Sequence, residues 1–72
     1  MKMKKFSYKP LWKMLIDKDL NFKNFMEKTE ISKSTFYKLK HNKNVTTDIL
    51  LKICNEFDCE LSAIVECIEE KE

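Results

Sequence analysis

The 72-residue sequence has no glycine and no arginine, one proline and one histidine. Each shortage excludes something. Hairpin sheets with tight turns draw on residues at positive φ, which Gly adopts without a Cβ penalty, so a Gly-free chain points to helices joined by short loops. The same lack removes the Gly-rich phosphate loops of the Walker and dinucleotide types. Without Arg, all fourteen cations are lysines, which meet phosphate as point charges and lack the planar fork that most often reads guanine. The basic opening Met1-Lys2-Met3-Lys4-Lys5 is followed by no long apolar run, because Lys9 and Lys13 interrupt it. Neither a signal peptide nor a membrane span is expected. Cys54, Cys59 and Cys67 are an odd number without C-x-x-C spacing, so reduced thiols in a cytoplasmic protein are expected, with no disulfide and no zinc. No Lys, Arg or His adjoins Cys59 or Cys67 to favour a reactive thiolate. One His on a loop supplies neither a nucleophile–base pair nor a carboxylate cleft. No enzymatic activity, cofactor or small-molecule effector is therefore expected.

What is present is a lopsided charge. Residues 1–43 carry twelve Lys against Asp17, Asp19, Glu27 and Glu30, a net +8, whereas residues 44–72 carry Lys52 and Lys71 against eight acids, a net −6. A basic half in a small domain is the electrostatic footprint of nucleic-acid binding, and an acidic half should face away from phosphate. The length suits one domain, expected as a flexible basic arm (residues 1–7), a folded unit (residues 8–68) and an acidic, frayed tail (residues 69–72).

Five segments have helical apolar spacing. The first, about residues 8–18, places Tyr8, Leu11, Trp12, Leu15 and Ile16 on one face, with Ser7 as a candidate N-cap and Pro10 in the first turn. The second follows the cap candidate Asn21 with Phe22, Phe25 and Met26. Ser32 caps a third, residues 33–40, whose Thr35, Phe36 and Leu39 turn inward while Lys33, Ser34, Tyr37 and Lys38 remain outside. Thr46 or Thr47 caps a fourth with Ile49, Leu50, Ile53, Cys54 and Phe57 inward and Asp48 in the first turn. Leu61, Ile64, Val65 and Ile68 predict a short fifth helix. The fold class expected is all-α, and the tight turn at residues 29–32 between two short helices has the spacing of a helix-turn-helix unit.

The chain resembles the Cro/cI-type (Xre-like) helix-turn-helix transcriptional regulators, in a small stand-alone bacterial or phage-type form. The matching stretches are Tyr8-Lys9-Pro10-Leu11-Trp12-Lys13-Met14-Leu15-Ile16-Asp17, Ile31-Ser32-Lys33-Ser34-Thr35-Phe36-Tyr37-Lys38-Leu39, Asn44-Val45-Thr46-Thr47 leading into Ile53-Cys54, and Asp58-Cys59 through Ile64-Val65-Glu66. The resemblance implies a five-helix, lambda-repressor-like domain whose third helix enters the major groove of double-stranded DNA, often as a homodimer. It puts Lys33, Ser34, Tyr37 and Lys38 at base-facing positions. Asn42, Lys43 and Asn44 match a loop that grips the phosphate backbone. Phe22 stands where a polar residue commonly touches phosphate, which leaves its backbone N–H for that contact and its ring as core or a wedge against helix three. Asn21, at the same helix start, is also expected at phosphate. Glu30 and Asn42 stand where Gly is common; Asn enters the left-handed region readily, whereas Glu there costs on the order of 1 kcal/mol.

The function expected is a sequence-specific DNA-binding repressor. The competing reading is a protein-partner module, antitoxin-like or regulatory, that binds DNA weakly. Leu51, off the inward stripe of the fourth helix, and Ile68 are the expected two-fold contacts. Tyr37 reads either as a base or sugar contact or as a surface aromatic packed locally, Lys33 and Lys38 as DNA contacts or as solvated side chains, and the arm as a minor-groove element or a disordered terminus.

Overall fold

The computed structural model describes residues 3–70. Along the chain it has strand β1 (Lys4–Ser7), helices α1 (Lys9–Asp17), α2 (Phe22–Thr29), α3 (Lys33–Lys40) and α4 (Thr47–Phe57), a 3-10 turn (Leu61–Ala63) and strand β2 (Glu66–Glu69). Four of the five expected helices are present, and α3 has its expected bounds.

The all-α, five-helix expectation is corrected by the last segment, which is a 3-10 turn and a strand. β1 and β2 pair antiparallel, with Lys4 opposite Glu69, Lys5 opposite Ile68, Phe6 opposite Cys67 and Ser7 opposite Glu66. The 3.6-residue spacing of Leu61, Ile64, Val65 and Ile68 is real, but Leu61 lies in the 3-10 turn, Ile64 and Val65 link it to β2, and only Ile68 lies in the strand, where its β-branched side chain suits the pleat. The partner is distant in sequence. Because the strands are the first and last elements, they need no hairpin turn, and the lack of Gly does not bar them. The segment expected as a flexible arm is therefore ordered from Lys4 to Ser7, and Glu69 of the expected frayed tail lies in β2. Beyond the register, the Glu70 N–H donates to the Met3 carbonyl at 2.9 Å. Residues 1–2 and 71–72 of those two expected segments lie outside the described residues.

The caps follow the sequence closely. Asn21 Oδ1 accepts from the Asn24 N–H at 2.8 Å, Ser32 Oγ from the Thr35 N–H at 3.2 Å and Thr46 Oγ1 from the Ile49 N–H at 3.4 Å. Each occupies a donor that the first helical turn leaves unpaired. At α1 the cap position is Tyr8, and Ser7 Oγ instead accepts from the Lys9 N–H at 3.4 Å.

Four non-Gly residues, Asp19, Glu30, Asn42 and Asp58, take positive φ between 49° and 56°. All stand at helix ends. After α1, α3 and α4 the next N–H reaches back five residues, from Leu20 to the Leu15 carbonyl, Lys43 to Lys38 and Cys59 to Cys54, the Schellman closure. α2 ends instead with the Glu30 N–H on the Met26 carbonyl at 2.8 Å. Asp and Asn tolerate the left-handed region; Glu30 is the member of the set without that tolerance.

Every helix contributes to the core: Leu11 and Leu15 from α1, Phe25 from α2, Leu39 from α3, Leu50 and Ile53 from α4, with Ile64 and Val65 closing it from beside the 3-10 turn. Ile16 and Leu61, expected inward, are exposed at 76% and 51%. Ile16 lies within α1 but at the edge of its stripe, since the helix buries Leu11 and Leu15, and it lines a groove of about 270 Å3 with Trp12, Leu20 and Phe22.

Glu30→Gly should raise the stability to urea by about 0.5 kcal/mol, the left-handed penalty less the added chain entropy of Gly. Asn42→Gly should lower it by about 1 kcal/mol, because a hydrogen bond to its side chain is lost. Equal urea midpoints for wild type and Glu30→Gly would remove the strain account.

Candidate nucleic-acid interface

α2 and α3 are joined by three residues with separate tasks. Glu30 reverses the chain in the left-handed region, Ile31 is buried beneath the turn, and Ser32 caps α3. Behind the turn, Thr29 Oγ1 donates to the Phe25 carbonyl at 2.8 Å, so this buried hydroxyl stays satisfied.

An aromatic cluster sets the pose of α3. The Phe36 ring lies 5.9 Å from Trp12 of α1 and 5.1 Å from Phe22 of α2, both edge-on, and 6.2 Å from Phe25. Trp12 also meets Phe22 at 5.5 Å, and Phe25 stacks on Phe57 of α4 at 6.0 Å. Edge-on rings at these separations add a directional preference to their buried area. Phe22 is thus the wedge against α3 that its position implied, although its ring remains 46% exposed. Lys40 Nζ lies 5.2 Å from the Phe22 centroid and 6.0 Å from that of Phe36, placing a cation against the same cluster.

With Phe36 and Leu39 turned inward, α3 presents Lys33, Ser34, Tyr37 and Lys38 to solvent, all four exposed. Ser34 Oγ is 3.1 Å from the capping Ser32 Oγ. Tyr37 is 55% exposed, and its ring lies 4.2 Å from that of His41, so the aromatic is packed at one side and open at the other.

The loop after α3 is tied to the start of α1. Asn42 Oδ1 accepts from the Tyr8 N–H at 3.1 Å, and the Tyr8 hydroxyl donates to the Lys43 carbonyl at 2.8 Å. Burial pushes the Tyr8 hydroxyl pKa above its ordinary 10.0, with the Val45 backbone opposing. Asn42 therefore serves the fold twice, in the left-handed region and as an acceptor, and keeps its amide NH2 as a donor. Lys43 and Asn44 are exposed beyond it, as is Asn21, whose oxygen caps α2. Tyr8 was legible only as an apolar-face residue. A buried Tyr hydroxyl needs a partner, but which loop supplies it depends on tertiary contact.

The two expected dimer residues do not share a groove. Leu51, 59% exposed, lines an open groove of about 540 Å3 with Cys54, Cys59 and Leu61. Ile68 is half-buried on β2 opposite Lys5. The Cys59 thiol is pushed above its ordinary pKa of 9.0 by burial first, then by Cys54 and Asp58, with Lys18 opposing. Among the described residues no three His, Cys, Asp or Glu side chains group as metal ligands, and no helix is long and apolar enough to cross a membrane.

A family model described as a Cro/C1-type HTH DNA-binding domain matches residues 10–70. A solved structure, the transcriptional regulator VanUg in its crystal form II, superposes with a TM-score of 0.90 at 42% identity, covering 93% of this chain and 89% of that one. No curated protein matches.

The stability that the buried, protonated Tyr8 supplies is fully present below pH 10.0. Above it the unfolded chain loses the phenolic proton first, so stability falls as pH rises toward the raised folded value. Tyr8→Phe should be less stable by about 1 kcal/mol at neutral pH and lose less between pH 9 and 11. Parallel urea midpoints for both proteins over that range would refute this role for the hydroxyl.

Proposed function

Because the chain belongs to the Cro/C1-type helix-turn-helix DNA-binding domain family, we propose that it is a sequence-specific transcriptional regulator, acting in the cytoplasm as a repressor by seating α3 in the major groove. The observation that carries this reading is the exposed quartet Lys33, Ser34, Tyr37 and Lys38, presented together while Phe36 and Leu39 anchor the opposite side. An α-helix fits a groove about 12 Å wide when its neighbours hold it proud of the surface. Without Arg, base reading falls to the two lysines, the Ser34 hydroxyl and the Tyr37 ring and hydroxyl.

Phosphate contacts fall to Asn21 and the Phe22 backbone N–H at the start of α2, where the helix dipole is positive, and to Asn42, Lys43 and Asn44. The Tyr8 hydrogen bonds tie that loop to the start of α1, and phosphate contacts of this kind fix register without carrying sequence information. The likeness to the transcriptional regulator VanUg supports the same reading. The protein acts as a homodimer on half-sites about 34 Å apart, with Leu51 and Ile68 at or near the two-fold contact. The exposed groove at Leu51 and Leu61 also suits the second reading, a protein-partner module with weak DNA binding.

Selection from a random duplex library at 50 and 200 mM salt should enrich a motif and show weaker retention at the higher salt. Lys33→Ala should cost about 1–3 kcal/mol on that motif and relax its preference at one base position. No motif together with no salt dependence would favour the partner-module reading. Sedimentation equilibrium should find the dimer weakened by Leu51→Asp, and a monomeric wild type would remove the two-fold arrangement.

A further inference from the structure

We propose that β1 is part of the DNA interface, with Lys4 and Lys5 taking backbone phosphate beside the loop that follows α3. This rests on the DNA-binding reading above and extends it to an element outside the helix-turn-helix.

Three observations converge on the strand. First, residues 4–7 are a paired strand, with the Met3 carbonyl continuing the ladder through the Glu70 N–H at 2.9 Å. Their lysines start from a fixed backbone, so less chain entropy is lost on binding than from a loose arm. Second, the residue that follows β1 is Tyr8, whose N–H and hydroxyl hold Asn42 and Lys43 at 3.1 and 2.8 Å. The strand is thereby locked to the loop expected to grip phosphate. Third, Lys4, Lys5 and Asn44 line one open groove of about 310 Å3, together with Phe6 and Cys67. Strand alternation and the Phe6–Cys67 register put Lys4, Phe6 and Cys67 on one face. Asn44 meets that groove from the loop, and Lys5 flanks it from the other face.

Charge sets the direction. The two cations of the sheet are both on β1, and the acids Glu66 and Glu69 are both on β2. A polyanion is attracted to the first strand and repelled by the second, so DNA passes over the β1 and loop side with β2 away from it. Lys4 stands opposite Glu69 and Lys5 opposite Ile68, so Lys5 has an apolar residue across from it.

The test is the salt dependence of affinity for the enriched duplex, measured for wild type, Lys4→Gln, Lys5→Gln and the double variant. Lys52→Gln in α4 is the charge control, and thermal melts by circular dichroism check folding. Each lost phosphate contact should lower the slope of log K against log salt by about 0.9. That amounts to about 3.5-fold less affinity loss per contact between 50 and 200 mM salt. The expected result is a lowered slope in the double variant, an unchanged preferred motif and a smaller or absent change in Lys52→Gln. A salt-dependent wild type whose slope survives the double substitution, or falls equally with Lys52→Gln, overturns the strand site and leaves the DNA reading standing. A wild type with no salt dependence overturns both. Should the double variant fail to fold, the two single variants decide on the same criterion.

Discussion

The structure depends on the packing of one ring. α3 has eight residues, three of them lysine, and a helix shorter than about 12 residues does not persist alone in water. Its conformation exists because Phe36 is held by Trp12, Phe22 and Phe25, and because Leu39 is fully buried. That division of labour frees the outer face from any part in the core. Lys33, Ser34, Tyr37 and Lys38 can be chosen for what they touch outside, since the inner face alone keeps the helix in place.

A second constraint governs what lies at the far end of α3. The chain leaves the helix through Asn42 in the left-handed region and is caught by Tyr8. Gly would satisfy the backbone there but offer no acceptor to the Tyr8 N–H. Asn satisfies both, so the loss of conformational freedom relative to Gly brings a tether in exchange. Glu30 has no such second use among the described hydrogen bonds, and it stands as the turn where side-chain identity and backbone conformation disagree most.

Much of this was legible in the sequence, and the exceptions share a cause. The caps Asn21, Ser32 and Thr46, the bounds of α3 and its outward quartet follow from local rules that act over a few residues. The wedge role of Phe22 followed from the aromatic standing where a polar residue is common. β2 is hidden from periodicity because Ile68 continues the helical spacing of Leu61, Ile64 and Val65, and the deciding partner is at the other end of the chain. Ile16 has the helical spacing but falls at the edge of the α1 stripe, which buries Leu11 and Leu15 and leaves it exposed. The Tyr8 tether and the place of Lys40 against the Phe22 ring are pairings between segments, which periodicity does not register.

The pairing of the first strand with the last has a kinetic consequence. Both the closure of β1 on β2 and the packing of the 3-10 turn against α1 join residues far apart in sequence, so each must overcome a large loop-closure entropy and forms slowly. During synthesis, residues 4–7 have no strand to join until residues 66–69 have followed them. Ile64 and Val65, which close the helical core, emerge just ahead of β2, so core and sheet are completed together. A chain released before residue 64 would therefore lack both the residues that close its core and the partner of β1.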